Sequence, residues 1–314
     1  MSGIRRWAAL ALFVLLGCGG TDAPAPEQRT PPTPRSAAIE VVDDAGRTVR
    51  TTEPVERLVS LVPSVTETIV AIGAVERLVA RTRYDEAPEL AALPNVGGGL
   101  DPGVEAIVAL DPDLVVAWNT GEGRLAERLT SVGIPVYLAE IQDTTAIYAT
   151  LRRMGALTGR QAAADSVSRA LRDTLAAIAA ESNPAEPPSV FYWMAGDPPR
   201  TAGEATFIGQ AIAIAGGRVA FPELNARWPA VSLEAVVERD PDVIVVPVGE
   251  GLPGAGSLDE RPGWSELDAV RSDRVVEIPA DLFARPGPRM GEATRALRER
   301  LERVLAPPPG SGAS

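Results

Sequence analysis

Aromatic rings and guanidinium groups gather in the stretches that follow the short β-rich runs of this chain. Arg83, Tyr84 and Asp85 follow the run 78–81, Trp118 follows 114–117, and Tyr192 and Trp193 end the run 189–193. Arg200, Trp228, Asp281, Phe283 and Arg285 occupy later loops rich in proline and glycine. In open parallel sheets, ligands sit beyond the carboxyl ends of the strands, where these loops fall. Rings that stack and guanidiniums that grip oxyanions suit a large planar ligand bearing amides, carboxylates or a phosphate. Tyr192 and Trp193 alternate along a strand, so one is expected in the core and Trp193 in the cleft. Tyr84 suits either of two roles, stacking on a flat ligand or, as a phenolate, binding haem iron.

Bond-making chemistry finds little support. The 314 residues contain no histidine, which removes the commonest metal ligand and general base. Ser64 therefore has no base to activate it, and with Glu67 three residues on it has the spacing of a helix capping box. The acidic pairs Asp111/Asp113 and Asp240/Asp242 read as helix-to-strand turns rather than a metal site. No catalytic residue, metal site or cofactor is expected, and the chain is read as a non-enzyme. The net charge of −12, with every basic residue an arginine, argues against nucleic acid and is compatible with docking on a basic protein surface.

The elements that must position these loops announce themselves by a near-repeat. The stretch 105–116 (Glu-Ala-Ile-Val-Ala-Leu-Asp-Pro-Asp-Leu-Val-Val) returns at 234–245 as Glu-Ala-Val-Val-Glu-Arg-Asp-Pro-Asp-Val-Ile-Val. Each copy reads as a helix, a proline-bearing turn and a buried strand, and each is followed by a glycine-bracketed glutamate, Glu122 or Glu250. A single recurrence at that distance fits two similar α/β lobes rather than a solenoid, whose periods run ~20–50 residues. Helices of about ten residues alternating with strands of four or five describe doubly wound lobes with short parallel sheets. Between them, 160–181 lacks glycine and proline and carries Val167, Leu171, Leu175 and Ile178 at helical spacing. Its 22 residues would make a rod of roughly 33 Å joining the lobes.

The N-terminus reads as an export signal. Arg5 and Arg6 precede a ten-residue apolar stretch, 7–16, too short to span a bilayer. Leu15-Leu16-Gly17-Cys18 resembles a bacterial lipobox, so Cys18, the single cysteine, is expected to carry the lipid anchor. A proline-rich tether follows, able to reach roughly 60 Å over about twenty residues. The expected organisation is a signal peptide at 1–17, lipidated cysteine and tether at 18–38, and an N-terminal α/β lobe at 39–143. A helical connector at 144–182, a C-terminal α/β lobe at 183–306 and a disordered tail at 307–314 complete it.

The motifs 57–67 (Arg-Leu-Val-Ser-Leu-Val-Pro-Ser-Val-Thr-Glu), Thr82-Arg-Tyr-Asp85, Asn95-Val-Gly-Gly98 and 105–116 resemble the helical-backbone substrate-binding proteins of ABC importers. That group serves cobalamin, iron siderophores and haem. Trp118, the stretch 227–232 (Arg-Trp-Pro-Ala-Val-Ser) and 281–289 (Asp-Leu-Phe-Ala-Arg-Pro-Gly-Pro-Arg) are most similar to its cobalamin-binding members, although Leu282 stands where a tryptophan is expected. The resemblance implies a helical-backbone fold and a cobalamin, siderophore or haem cargo held by Arg83, Tyr84, Trp118, Trp193, Arg200, Trp228, Asp281, Phe283 and Arg285. It also implies partners: an ABC permease dimer with its ATPase subunits, met through Glu122 and Glu250, with Glu127 an alternative in the first lobe. The protein itself is expected to be a monomer, anchored on the membrane through Cys18.

Overall fold

The computed structural model describes residues 38–306, apart from 122, 183, 195, 250, 251, 253, 255, 257 and 259. Cys18, Glu122, Glu250, the export signal and the 307–314 tail lie outside the described residues. The described residues form one compact unit. No helix among the described residues is long and apolar enough to cross a membrane.

A hairpin opens the fold, β1 (Ile39–Val42) pairing antiparallel with β2 (Thr48–Thr51). Its turn is built by Asp43, whose Oδ1 accepts from the Ala45 and Arg47 amides at 3.0 and 2.8 Å. The first parallel sheet then comprises β3 (Leu58–Ser60), β4 (Leu78–Ala80), β5 (Leu114–Trp118) and β6 (Val136–Ala139), in the order β4-β3-β5-β6. The helices α1 (Pro63–Ala71), α2 (Val104–Ala109) and α3 (Arg124–Ser131) connect its strands. The second sheet comprises β7 (Ser189–Tyr192), β8 (Arg218–Val219), β9 (Val243–Val248) and β10 (Val275–Pro279), in the order β10-β9-β7-β8. Here the helices are α6 (Phe207–Ile214), α7 (Leu233–Arg239), α8 (Asp268–Arg271) and α9 (Ala280–Phe283), with α10 (Met290–Leu305) last. Numbered within its own sheet, each set runs second-first-third-fourth, and every pairing is parallel. The two sheets share one topology.

The sequence repeat occupies equivalent places in both. The α2–β5 and α7–β9 units each supply the third strand, and their turns carry Asp111 and Asp240 with φ of 45° and 42°. The following carboxylates have matching work. Asp113 Oδ2 accepts from the amides of Glu56 and Arg57, and Asp242 Oδ2 from the Ser189 amide and hydroxyl. Each thereby fastens the start of its sheet's first strand, and no group of metal-holding side chains exists among the described residues.

Between the sheets run α4 (Thr144–Leu157) and the 21-residue α5 (Gln161–Glu181). The latter buries Ala164, Ser168, Leu171, Leu175 and Ile178, packing on α4 and on α6 and α10. Gly291 lets α10 approach, since a Cβ there would lie 2.9 Å from Thr174 Cγ2. One apolar cluster therefore continues from Leu58, Val116 and Ile69 through Leu171 to Ile212, Val245 and Leu297. Two further clusters cover the opposite sheet faces, around Val59, Val115 and Leu138 and around Phe191, Ile244 and Trp264. Alternate residues of each strand thus enter different layers, as strands covered on both faces must.

The expected capping box does not form. Pro63 takes the first helical position of α1, where a missing N–H costs nothing, so Val62 is the N-cap and Ser64 already lies inside the helix. The Ser64 hydroxyl is buried without a partner, and Glu67 turns elsewhere.

The Asp242 anchor gives a test. Burial works against its charge, but the Ser189 bonds with Arg218 and Arg274 nearby prevail and hold its pKa below the ordinary value. A lowered carboxylate pKa stabilises the fold above the unfolded pKa, near 4, and the contribution fades as pH falls through the folded one. Asp242→Ala should cost about 1–3 kcal/mol at neutral pH. In urea unfolding the gap from the parent chain should narrow at strongly acidic pH; a constant gap would contradict the assignment.

Candidate functional site

In both sheets the chain leaves the first strand on one side and returns on the other for the third, which opens a crevice beyond the carboxyl ends of those two strands. In the first sheet these ends deliver Pro63, at the start of α1, and Trp118, the last residue of β5. Both line a cavity of about 570 Å³ together with Tyr84, Leu100 and Asn119. Tyr84 is 50% exposed and Leu100 75%, while Trp118 is half-buried. A second hollow of about 440 Å³ shares Trp118 and Leu100 and continues to Arg124 and Arg128.

Glycine sets the position of Trp118. A Cβ on Gly99 would stand 2.4 Å from the Leu61 carbonyl and 2.9 Å from Trp118 Nε1. One on Gly98 would stand 2.1 Å from Asp101 Oδ1 and 2.5 Å from Arg83 Nη2. The run at 97–99 therefore lies directly against the indole and beneath the Arg83–Asp101 ion pair, which closes at 2.6 Å. That pair raises the Arg83 pKa and lowers that of Asp101, so Arg83 is already occupied. Its guanidinium also lies 5.4 Å from the Tyr84 ring centroid. Asp85 staples the loop from beneath, accepting from the Thr82 amide and hydroxyl at 2.7 Å each.

Residues from the second sheet reach the same region by two routes. Arg285 donates to Glu67 Oε1 at 3.0 Å and to the Tyr84 carbonyl at 2.9 Å, and Arg289 stands 3.7 Å from the same carboxylate. With Asp281 they border a separate cavity of about 600 Å³, which touches Glu67, Val70, Leu90 and Val167 of α5 and shares no lining residue with the Trp118 cavity. On the other route, Trp228 Nε1 donates to Gln142 Oε1 at 3.3 Å and its ring meets Phe207 edge-on. Arg200 donates to the Trp228 carbonyl at 3.1 Å. Arg227 pairs with Glu140 at 3.3 Å, and Glu140 accepts from Asn119 at 2.8 Å. A polar chain thus runs from the residue beside Trp118 to the residue beside Trp228.

Two expected cleft residues lie elsewhere. Trp193 is 1% exposed and packs on Trp264 at 5.1 Å, under the Arg261 guanidinium. Phe283 is 2% exposed, in α9 rather than a loop, with its ring 5.8 Å from that of Tyr192. Alternation along β7 and its continuation sends Phe191 and Trp193 into one layer and Val190 and Tyr192 into the other. Because both faces are covered, neither Tyr192 nor Trp193 is left for the cleft. Tyr84 and Trp118 line one cavity, Asp281 and Arg285 line another, and Arg200 bonds the Trp228 carbonyl; Glu127 is exposed on α3. Asn119, Glu140 and Gln142 carry no local signal beyond following a strand end. The spacing of Glu67 to Ser64 matches a cap, but its partner is Arg285.

Glu67 yields a pH prediction. Burial raises its pKa, and the Arg285 bond with the Arg285 and Arg289 charges only partly offsets this. A carboxyl raised by folding favours the fold when protonated, a contribution present below the ordinary pKa and lost as pH rises through the folded value. Glu67→Gln, which keeps an oxygen for Arg285, should therefore be at least as heat-stable as the parent chain at neutral pH. The two melting curves should converge on acidification, and a Gln variant clearly less stable at neutral pH would refute the assignment.

Residues 58–282 match the family model described as periplasmic binding protein. A cobalamin-binding protein of Halobacterium salinarum is 34% identical over 307 residues, covering 91% of this chain and 82% of its own. An uncharacterized ABC transporter substrate-binding lipoprotein of Bacillus subtilis is 29% identical, over 94% of this chain and 96% of its own. Among solved structures, the apo periplasmic heme-binding protein of Roseiflexus sp. RS-1 superposes with a TM-score of 0.70 at 26% identity, over 79% of this chain and 98% of that one. With its paired parallel sheets and helical spine, the chain belongs to the periplasmic binding protein family, and it is a solute-binding transport protein, not an enzyme.

Proposed function

We propose that this chain captures cobalamin or another corrinoid between its two sheets and delivers it to an ABC permease. The observation that carries this reading is Trp118, held by Gly99 at the crevice of the first sheet and sharing one cavity with Tyr84. Trp228, bonded to Gln142, and Arg285, bonded to the Tyr84 carbonyl, support a contribution from the second sheet. Flat rings such as Trp118 and Tyr84 suit a macrocycle, and Arg285, Arg200 and Asn119 suit its amide and phosphate groups once they exchange their present partners for the ligand. Similarity to a cobalamin-binding protein over nine-tenths of the chain supports the same cargo.

Haem or a ferric siderophore is the second reading. The half-exposed Tyr84 ring on the cavity wall and the likeness to a heme-binding protein favour haem. In this proposal 39–143 and 183–306 are the lobes and 144–182 the spine. Glu122 and Glu250 dock on the permease dimer, with its ATPase subunits beyond, and Cys18 anchors a monomer to the membrane.

Calorimetry and visible-absorption titration with cyanocobalamin, haemin and a ferric siderophore separate the readings. Cyanocobalamin is expected to bind; a Soret band with iron-ligation character that disappears in Tyr84→Phe would transfer the assignment to haem. Trp118→Ala should weaken corrinoid binding by about 1–3 kcal/mol, the range for an aromatic anchor. Unaltered affinity would remove the indole from the site. Charge reversal at both Glu122 and Glu250 should leave the titration unchanged and abolish uptake through the cognate permease, and normal uptake would exclude the docking role.

A further inference from the structure

The helical spine carries a basic concavity that solute capture does not use. Arg152 of α4 with Arg169 and Arg172 of α5 line a hollow of about 390 Å³, together with Thr145, Tyr148 and Asp165. Elsewhere arginines are mostly paired or bonded: Arg83 with Asp101, Arg227 with Glu140, Arg285 with Glu67, Arg57 and Arg274 with main-chain carbonyls. Arg152, Arg169 and Arg172 make neither a hydrogen bond nor an ion pair among the described residues, and all three are exposed. Asp165, the one carboxylate in the hollow, accepts instead from Gln161 Nε2 at 3.2 Å. Arg172 lies 4.4 Å from the Tyr148 ring centroid, which fixes one guanidinium at the wall. Thr145 belongs to the first turn of α4, which Asp143 caps by accepting from the Ala146 amide at 2.8 Å.

In a chain of net charge −12, three guanidiniums that make no ion pair, facing the single Asp165 carboxylate, give one depression a net positive charge suited to a tetrahedral oxyanion. Position identifies the source. α4 is the helix on which β1 packs, and Arg153, next to Arg152, is ion-paired with Asp44 at 2.5 Å in the hairpin turn. The hairpin is where the chain emerges from the 18–38 segment. We infer that the α4–α5 concavity binds the phosphate of anionic phospholipid headgroups and orients the tethered body on the bilayer. The inference rests on the membrane-tethered reading above for its geometry, but its chemistry does not need the acyl chain.

The experiment uses the chain from residue 18 onward carrying Cys18→Ser, which cannot be acylated and retains every described element, sedimented with phosphatidylglycerol or phosphatidylcholine vesicles at low ionic strength. Phosphatidylglycerol should be preferred. Arg152→Gln, Arg169→Gln and Arg172→Gln should each weaken partitioning about fivefold, and together about a hundredfold. Solute titration of the triple variant should match the parent, which reports an intact fold. Equal binding to both lipids, or an unaffected triple variant, would overturn the inference. So would complete competition by inorganic phosphate at matched phosphate concentration, which would make this a site for a dissolved anion. Acyl labelling of the unsubstituted chain tests the tether separately, so either idea can fail alone.

Discussion

Parallel strand order is the constraint on which everything else depends. In each sheet the first strand is central, the second lies on one side of it and the third on the other. Connections leaving the first and third strands must diverge, and the gap between them cannot be filled by the sheet's own helices. Trp118 and the start of α1 flank that gap in the first sheet. The same strand order recurs in the second sheet, so one pattern is used twice. The Asp113 and Asp242 carboxylates, which fasten the first strands to the turns before the third, are the local chemistry that keeps the pattern in register.

The spine turns two sheets into one body. α5 contributes Leu171 and Leu175 to a core that continues into both halves, and glycine at 291 brings α10 against it. A continuous apolar core resists wide separation, because opening it would expose side chains already removed from water. The contacts that cross the crevice differ in kind. Arg285 on Glu67 and the Tyr84 carbonyl, and Arg227 on Glu140, are polar groups at a wet boundary. The more exposed Arg227–Glu140 pair exchanges for water or ligand groups at small net cost, whereas the Arg285–Glu67 pair is largely buried. The molecule is firm at its spine and exchangeable at its cleft.

Charge is distributed with the same logic. An arginine-only basic complement is mostly committed to carboxylates and carbonyls, which suits planar, forked donors. Arg83 illustrates the consequence for reading a site. Its position marks the cleft correctly, yet its guanidinium is held by Asp101 and supports the Tyr84 loop instead of standing free. Arg152, Arg169 and Arg172, which lack such partners, lie together on the spine.

How much was legible depended on how local the determinant was. The repeat, the alternation of short strands with helices, and the glycine-free α5 are periodicities of neighbouring residues, so the amino-acid order alone determined the α/β class and the paired halves. Trp118 ends β5 and lines the cavity beyond it, as its place after a buried strand leads one to expect. Trp193 and Phe283 looked the same in one dimension and went to the core, since their surroundings come from Trp264, Arg261 and Tyr192, distant in the chain. Glu67 likewise matched a capping pattern three residues long, while its partner lies 218 residues away. Chain order specifies which faces are apolar and where helices begin. Only the folded arrangement decides which side chains remain uncovered, because burial is a property of what packs above a residue and not of what precedes it.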